Sequence, residues 1–145
     1  MEIYTIGFTK KSARQFFELL KKNKIEQLID IRLRNSSQLA GFAKQPDLQF
    51  FLQKICGIEY VYETLFTPTD EILDGFKKAK NSWDEYEKTF LALMKDRKIE
   101  KHLDKKLFSK RSVLLCSEPT ADKCHRGLVV EYLQSKWGNI EVTHL

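Results

Sequence analysis

Five short apolar runs recur along the chain, and segments of helix length separate them. The runs are EIYTI at 2–6, EQLIDI at 26–31, IEYVY at 58–62, SVLLC at 112–116 and IEVTH at 140–144. Their length and β-branched content predict strands, whereas the segments between them carry apolar residues at helical spacing. Residues 12–23 read as a helix capped by Ser12, with Phe16, Phe17, Leu19 and Leu20 on one face. Pro46 or Asp47 opens a second helix that runs through about Ile55 and stops at Gly57. Residues 70–79 read as helical. Ser82, with Glu85 three residues on, forms a capping box for a longer helix whose inner stripe is Trp83, Tyr86, Phe90, Leu93 and Met94. A short helix is expected within 99–108. A final helix is expected over 122–136, with Asp122 near its start. Alternating strands and helices of this length imply right-handed crossovers. The fold expected is a three-layer, Rossmann-like α/β domain with a mostly parallel sheet of about five strands and helices on both faces. The runs LIDI and VLL are apolar nearly throughout, as strands covered on both faces require.

The 145 residues suit one domain, 1–145, and no repeat, low-complexity tract or Gly/Ser linker divides them. Apolar residues make up 42% and charged residues 31%, a globular composition. Apolar runs of four or five residues fall far short of the ~20 that a membrane span needs, so no membrane partner is expected. MEIYTIGF has an acid at position 2 and no basic stretch, and is not expected to be a secretory signal. Three cysteines, an odd number, argue for a reducing compartment, with the cytoplasm as the expected location.

The net charge of +5 is local. Residues 95–111, KDRKIEKHLDKKLFSKR, hold eight Lys/Arg against three Asp/Glu, and the rest of the chain balances. Such a stretch attracts polyanions or is a solvated lysine-rich face.

In open parallel sheets, ligands bind beyond the carboxyl ends of the strands. The polar candidates collect there. Gly7 ends the first strand, Asp30 and Arg32 end the second, and Cys116 and Glu118 end the fourth. Cys124, His125 and Arg126 open the last helix. A helix start favours an anion, an arginine holds phosphate or carboxylate in two-pronged fashion, and a thiol at such a place has a lowered pKa. Simpler roles stand beside these. Cys116 reads equally as a small buried hydrophobe, and Asp30 and Arg32 face the same side and can pair with each other. Trp83, Tyr86 and Phe90 fit a core stripe, and Cys56, next to Gly57, reads as structural.

TIG at 5–7, IDIR at 29–32, SSQLAGF at 36–42, GIEYV at 57–61, WDEY at 83–86, LLCSE at 114–118 and CHR at 124–126 resemble, in that order, the DUF488 family. The resemblance covers essentially the whole chain. It implies a Rossmann-like α/β domain of a prokaryotic cytosolic protein, with no assigned reaction. The family pattern falls on Gly7, Asp30, Arg32, Ser37, Phe42, Cys116, Glu118, Cys124, His125 and Arg126. Three positions depart from it. Phe8 stands where the family often has His, Asn35 where it often has Pro, and Leu65-Phe66-Thr67 where it has an LGG-like segment. The first departure leaves His125 as the remaining candidate base.

The leading expectation is a protein that binds or processes a phosphorylated or otherwise anionic small molecule or nucleotide. Gly7, Asp30, Arg32, Ser37 and Arg126 would bind it, and Cys116, Glu118, Cys124 and His125 would supply nucleophile, acid and base. The phosphatase pattern C-x5-R is absent, since Cys116 lies ten residues before Arg126 and Cys124 two. One alternative is a nucleic-acid-binding protein using the 95–111 basic patch. Another is a thiol-redox protein using Cys116 and Cys124. A metal site of Cys116, Cys124 and His125, completed by Glu118 or His144, has suitable ligand types. Neighbouring Cys124 and His125 would project ~100° apart on a helix, however, so no metal and no cofactor are expected.

Overall fold

The protein is described by a computed structural model over residues 1–36, 40–77, 82–118 and 124–145. The expected ligand residue Ser37 and the expected helix-start residue Asp122 lie outside these described residues. The strands are β1 (Glu2–Gly7), β2 (Gln27–Asp30), β3 (Glu59–Tyr62), β4 (Ser112–Cys116) and β5 (Glu141–His144). The helices are α1 (Ala13–Lys22), α2 (Gln45–Phe51), α3 (Asp70–Lys77), α4 (Trp83–Asp96), α5 (Ile99–His102) and α6 (His125–Trp137).

The five strands form one sheet in the order β3-β2-β4-β1-β5, with every pairing parallel. Thus β4 is central, with Val113 in register with Tyr4 on one side and Leu28 on the other. Both β2 and β4 are buried along their whole length, and the edge strands β3 and β5 are not. This is why LIDI and VLL are apolar while the edge runs alternate with Glu and Thr.

The order of the strands dictates the layers. From β1 to β2 to β3 the chain moves one way along the sheet, and from β3 to β4 to β5 it moves back. Right-handed crossovers then require the two sets of helices to lie on opposite faces. The two cores obey this. Phe16, Phe17 and Leu20 of α1 and Leu48 of α2 cover Tyr4, Ile6, Leu28, Val113 and Leu115. Tyr86, Phe90 and Met94 of α4 and Leu128, Val129 and Leu133 of α6 cover Ile3, Ile29 and Leu114. Each fully buried Phe or Leu contributes on the order of 2 kcal/mol of transfer free energy.

The local signals explain the boundaries. Ser12 caps α1 in a complete capping box with Gln15. Ser82 accepts from the Glu85 amide at the start of α4. α2 widens into a π turn at Leu52–Cys56 and ends at Gly57, whose φ of 64° is the left-handed conformation glycine tolerates. The expected 99–108 helix is two pieces, α5 and a 3-10 turn at Lys105–Phe108. α6 begins at His125 rather than at 122, with Cys124 as an extended N-cap. No helix among the described residues is long and apolar enough to cross a membrane.

Candidate functional site

The connections leaving β2 and β4 run in opposite directions on opposite faces. A crevice opens between the carboxyl ends of two such neighbours. Into it come Ile31 and Arg32 after β2, Cys116–Glu118 at the end of β4, and Cys124 and His125 at the start of α6.

His125 is buried and held at both ring nitrogens. Its Nε2 lies 2.8 Å from the Ile31 carbonyl oxygen and its Nδ1 lies 3.1 Å from Cys116 Sγ. A carbonyl only accepts, so Nε2 carries the proton and Nδ1 faces the sulfur as an acceptor. The Phe90 ring meets the imidazole edge to face at 5.5 Å and fixes its plane. Cys116 thus has a proton acceptor within reach and oriented by a third group, the arrangement that activates a thiol.

The surroundings favour the thiolate. Burial is the largest single influence on Cys116 and opposes ionisation. It is outweighed by the Cys124 thiol, the Ser117 amide, the Arg126 charge and the Glu118 amide, which together hold the Cys116 pKa below that of an ordinary thiol. Cys124 is its complement. Its hydrogen bond to Cys116, its burial and the Cys116 charge push its pKa up, so it stays protonated.

Arg126 is completely buried. Its Nη1 donates to the Glu118 carbonyl at 2.7 Å, while Nε and Nη2 have no hydrogen-bond partner among the described residues. Its charge also depresses the pKa of Lys11 and of His144, in each case after burial, which acts first. Gly7 permits this arrangement. A Cβ there would lie 1.5 Å from the Glu118 oxygen and 2.4 Å from Arg126 Nη1.

A cleft of about 240 Å³ opens over the pair. Cys116, Ser117, Glu118, Cys124, His125, Arg32 and Arg34 supply its polar wall, and Leu33, Pro68, Leu73, Phe76, Trp83 and Tyr86 its apolar wall.

The family model for the domain of unknown function DUF488 matches residues 12–133. The chain belongs to the DUF488 family. No curated protein matches it and no solved structure matches it. The family description carries no reaction, so the chemistry of this DUF488 domain has to be read from its own atoms.

Of the residues singled out in the sequence, Cys116, Glu118, Cys124 and His125 line one cleft. Gly7 and Arg126 adjoin it from the β1 side. Asp30 and Arg32 are tied to each other: Arg32 Nε and Nη2 donate to the two carboxylate oxygens at 2.9 Å, and Nη1 donates to the Ala43 carbonyl at 2.7 Å. Tyr60 adds a hydroxyl to Asp30 at 2.6 Å. The pair therefore braces the loop after β2, and Arg32 reaches the cleft as part of its wall. Phe8, at the departure from the family's His, lies under the Arg32 guanidinium, 5.4 Å from ring centroid to Cζ.

The spacing argument against a shared cation does not carry over to this DUF488 domain. Cys124 is an extended cap and not a helical residue, so the ~100° helical separation does not apply to it. The donor atoms of Cys116, Cys124 and His125 lie within 4.8 Å of one another. This set of soft donors could reach one cation, one ligand short of a closed tetrahedron. Glu118 and His144 are not part of the group, and His144 Nδ1 is hydrogen-bonded to Thr5 at 2.6 Å.

Three features of the site have no sequence motif. One is the Ile31 carbonyl that sets the imidazole tautomer. The second is Tyr60, visible only once β3 is known to pair with β2 in the register Leu28–Tyr60. The third is the aromatic wall: Tyr86 and Phe90 are core residues, as their spacing predicts, yet half-buried Trp83 also faces the cleft.

Proposed function

We propose that this DUF488 domain is a cysteine-dependent enzyme acting on a small anionic molecule. Cys116 is the nucleophile and His125 the general base. The observation that carries the reading is the chain of contacts from Cys116 Sγ to His125 Nδ1 and from His125 Nε2–H to the Ile31 carbonyl. The Cys116 proton passes to Nδ1 and the sulfur attacks an electrophilic centre of the substrate. A carbon–sulfur or heteroatom–sulfur bond forms, the bond to the leaving group breaks, and the leaving group takes the proton back from the imidazolium. The cleft lies below the ~300 Å³ at which drug-sized sites begin, which favours a small molecule or one end of a larger one. Nε and Nη2 of Arg126, without a partner among the described residues, support an anionic group on it.

The nucleic-acid reading has less behind it. Several cations of the basic segment are engaged elsewhere: Arg97 with the Thr64, Leu65 and Thr67 carbonyls, Lys110 with Glu59, and Arg111 with Tyr4.

The test is alkylation of the folded, chelator-treated protein by iodoacetamide, followed peptide by peptide across pH. Cys116 is expected to react faster than free cysteine at neutral pH, with its inflection shifted to lower pH, and His125→Ala is expected to abolish the advantage. Cys116 reacting no faster than free cysteine overturns the assignment. A thermal-shift series with phosphate, sulfate and nucleotides on wild type and Arg126→Ala tests the anionic substrate. Stabilisation that persists in high salt and disappears in the variant supports it, and no shift with any of them overturns it.

A further inference from the structure

The proposed transfer uses one of the two buried thiols and leaves Cys124 without a part. We infer that Cys124 is a resolving cysteine, so that a peroxide reaching the cleft converts Cys116 and Cys124 into a disulfide instead of destroying the nucleophile.

Both thiols are free and buried, and their sulfurs belong to one cluster spanning 4.8 Å. Cys124 is an extended N-cap, φ −135° and ψ 141°, and its sulfur lies in the cluster with Cys116 at the end of β4. Both residues line the same cleft, which admits a molecule the size of a peroxide. The third cysteine, Cys56, lies at the end of α2 among the residues packed on the other face of the sheet, so it serves as an internal control.

The chemistry balances with a peroxide as oxidant. The Cys116 thiolate attacks one peroxide oxygen. A sulfur–oxygen bond forms, the oxygen–oxygen bond breaks, and the departing alkoxide or hydroxide is protonated, leaving Cys116 as a sulfenic acid. The Cys124 sulfur then attacks the Cys116 sulfur. The sulfur–sulfur bond forms, the sulfur–oxygen bond breaks, and the hydroxyl leaves as water with the proton from Cys124. Two electrons pass from the two sulfurs to the peroxide, and a dithiol reductant restores the pair by exchange.

The experiment treats reduced, folded protein with a few equivalents of hydrogen peroxide, blocks the remaining thiols, and maps the peptides by mass. Wild type is expected to become two hydrogens lighter, with a peptide linking Cys116 to Cys124, Cys56 left to the blocking reagent, and full recovery on reduction. Cys124→Ser is expected to gain oxygen at Cys116 instead, trapped by dimedone as the sulfenic acid. Wild type that accumulates sulfinic acid at Cys116 as readily as Cys124→Ser overturns the inference, as does a disulfide that recruits Cys56. If Cys116 alkylates rapidly yet forms no disulfide, only the resolving role falls. Slow alkylation overturns the proposed enzyme independently.

Discussion

At the scale of the residue, the two thiols are set apart by their neighbours and not by their own chemistry. Their opposite pKa shifts give stability a two-sided dependence on pH. A depressed folded-state pKa at Cys116 adds stability as pH rises from that value to the unfolded thiol value, about 8.5. A raised pKa at Cys124 removes stability once pH exceeds the unfolded value, because the unfolded chain then ionises and the folded one does not. Denaturant unfolding across pH is expected to show a rising limb that Cys116→Ser flattens and a falling limb above about 8.5 that Cys124→Ser flattens. Unchanged limbs in both variants would contradict these environments. Gly7 carries a prediction of another kind. The Glu118 carbonyl occupies the space a methyl group would need, so Gly7→Ala is expected to cost on the order of 3 kcal/mol and to slow Cys116 alkylation together.

At the scale of the element, the sequence was legible wherever one turn or one face decides the outcome. Ser12 and Gln15 close α1 by themselves, and Gly57 stops α2 by its backbone alone. Ser12→Ala should therefore lower stability by about 1 kcal/mol in denaturant unfolding and leave Cys116 alkylation untouched. Three segments were less legible because the local backbone, and not the residue pattern, decides them. The π turn at Leu52–Cys56 has no helical breaker within it to announce it. The piece after α4 divides because Asp104 caps a new 3-10 turn through the Lys106 amide. α6 starts at His125, and Cys124 before it is an extended cap, which alters what the site can bring together. Read as a helical residue, Cys124 points away from His125. As an extended cap it joins Cys116 and His125 in one cluster. The residues of the site could be read from their types and spacing, but their geometry could not.

At the scale of the whole molecule, the last part of the basic segment, residues 107–111, and the cleft lie at opposite ends of the sheet. Residues 107–111 touch the amino ends of the strands: Gln27 Nε2 donates to the Leu107 carbonyl, the Arg111 amide to Glu26, and Lys110 pairs with Glu59. Converting Lys105 and Lys106 to Glu is expected to weaken any retention on heparin or oligonucleotide resins and its salt dependence, while the alkylation rate of Cys116 stays at the wild-type value. A coupled loss of both would mean that the basic segment and the cleft serve one ligand.

The central position of β4 sets when, in the life of each chain, the cleft can form. β1 and β2 are made first but do not touch each other. They flank a strand encoded more than eighty residues later, with Ile3 and Gln27 both waiting for Ser112. On a ribosome the amino-terminal part emerges as strands without their middle, and the sheet closes only when β4 threads between them. His125 and the Ile31 carbonyl meet in that same event, so the contacts around the Cys116 thiol are the last to form. A product truncated before β4 would carry α1 to α5 and neither of the two clustered sulfurs.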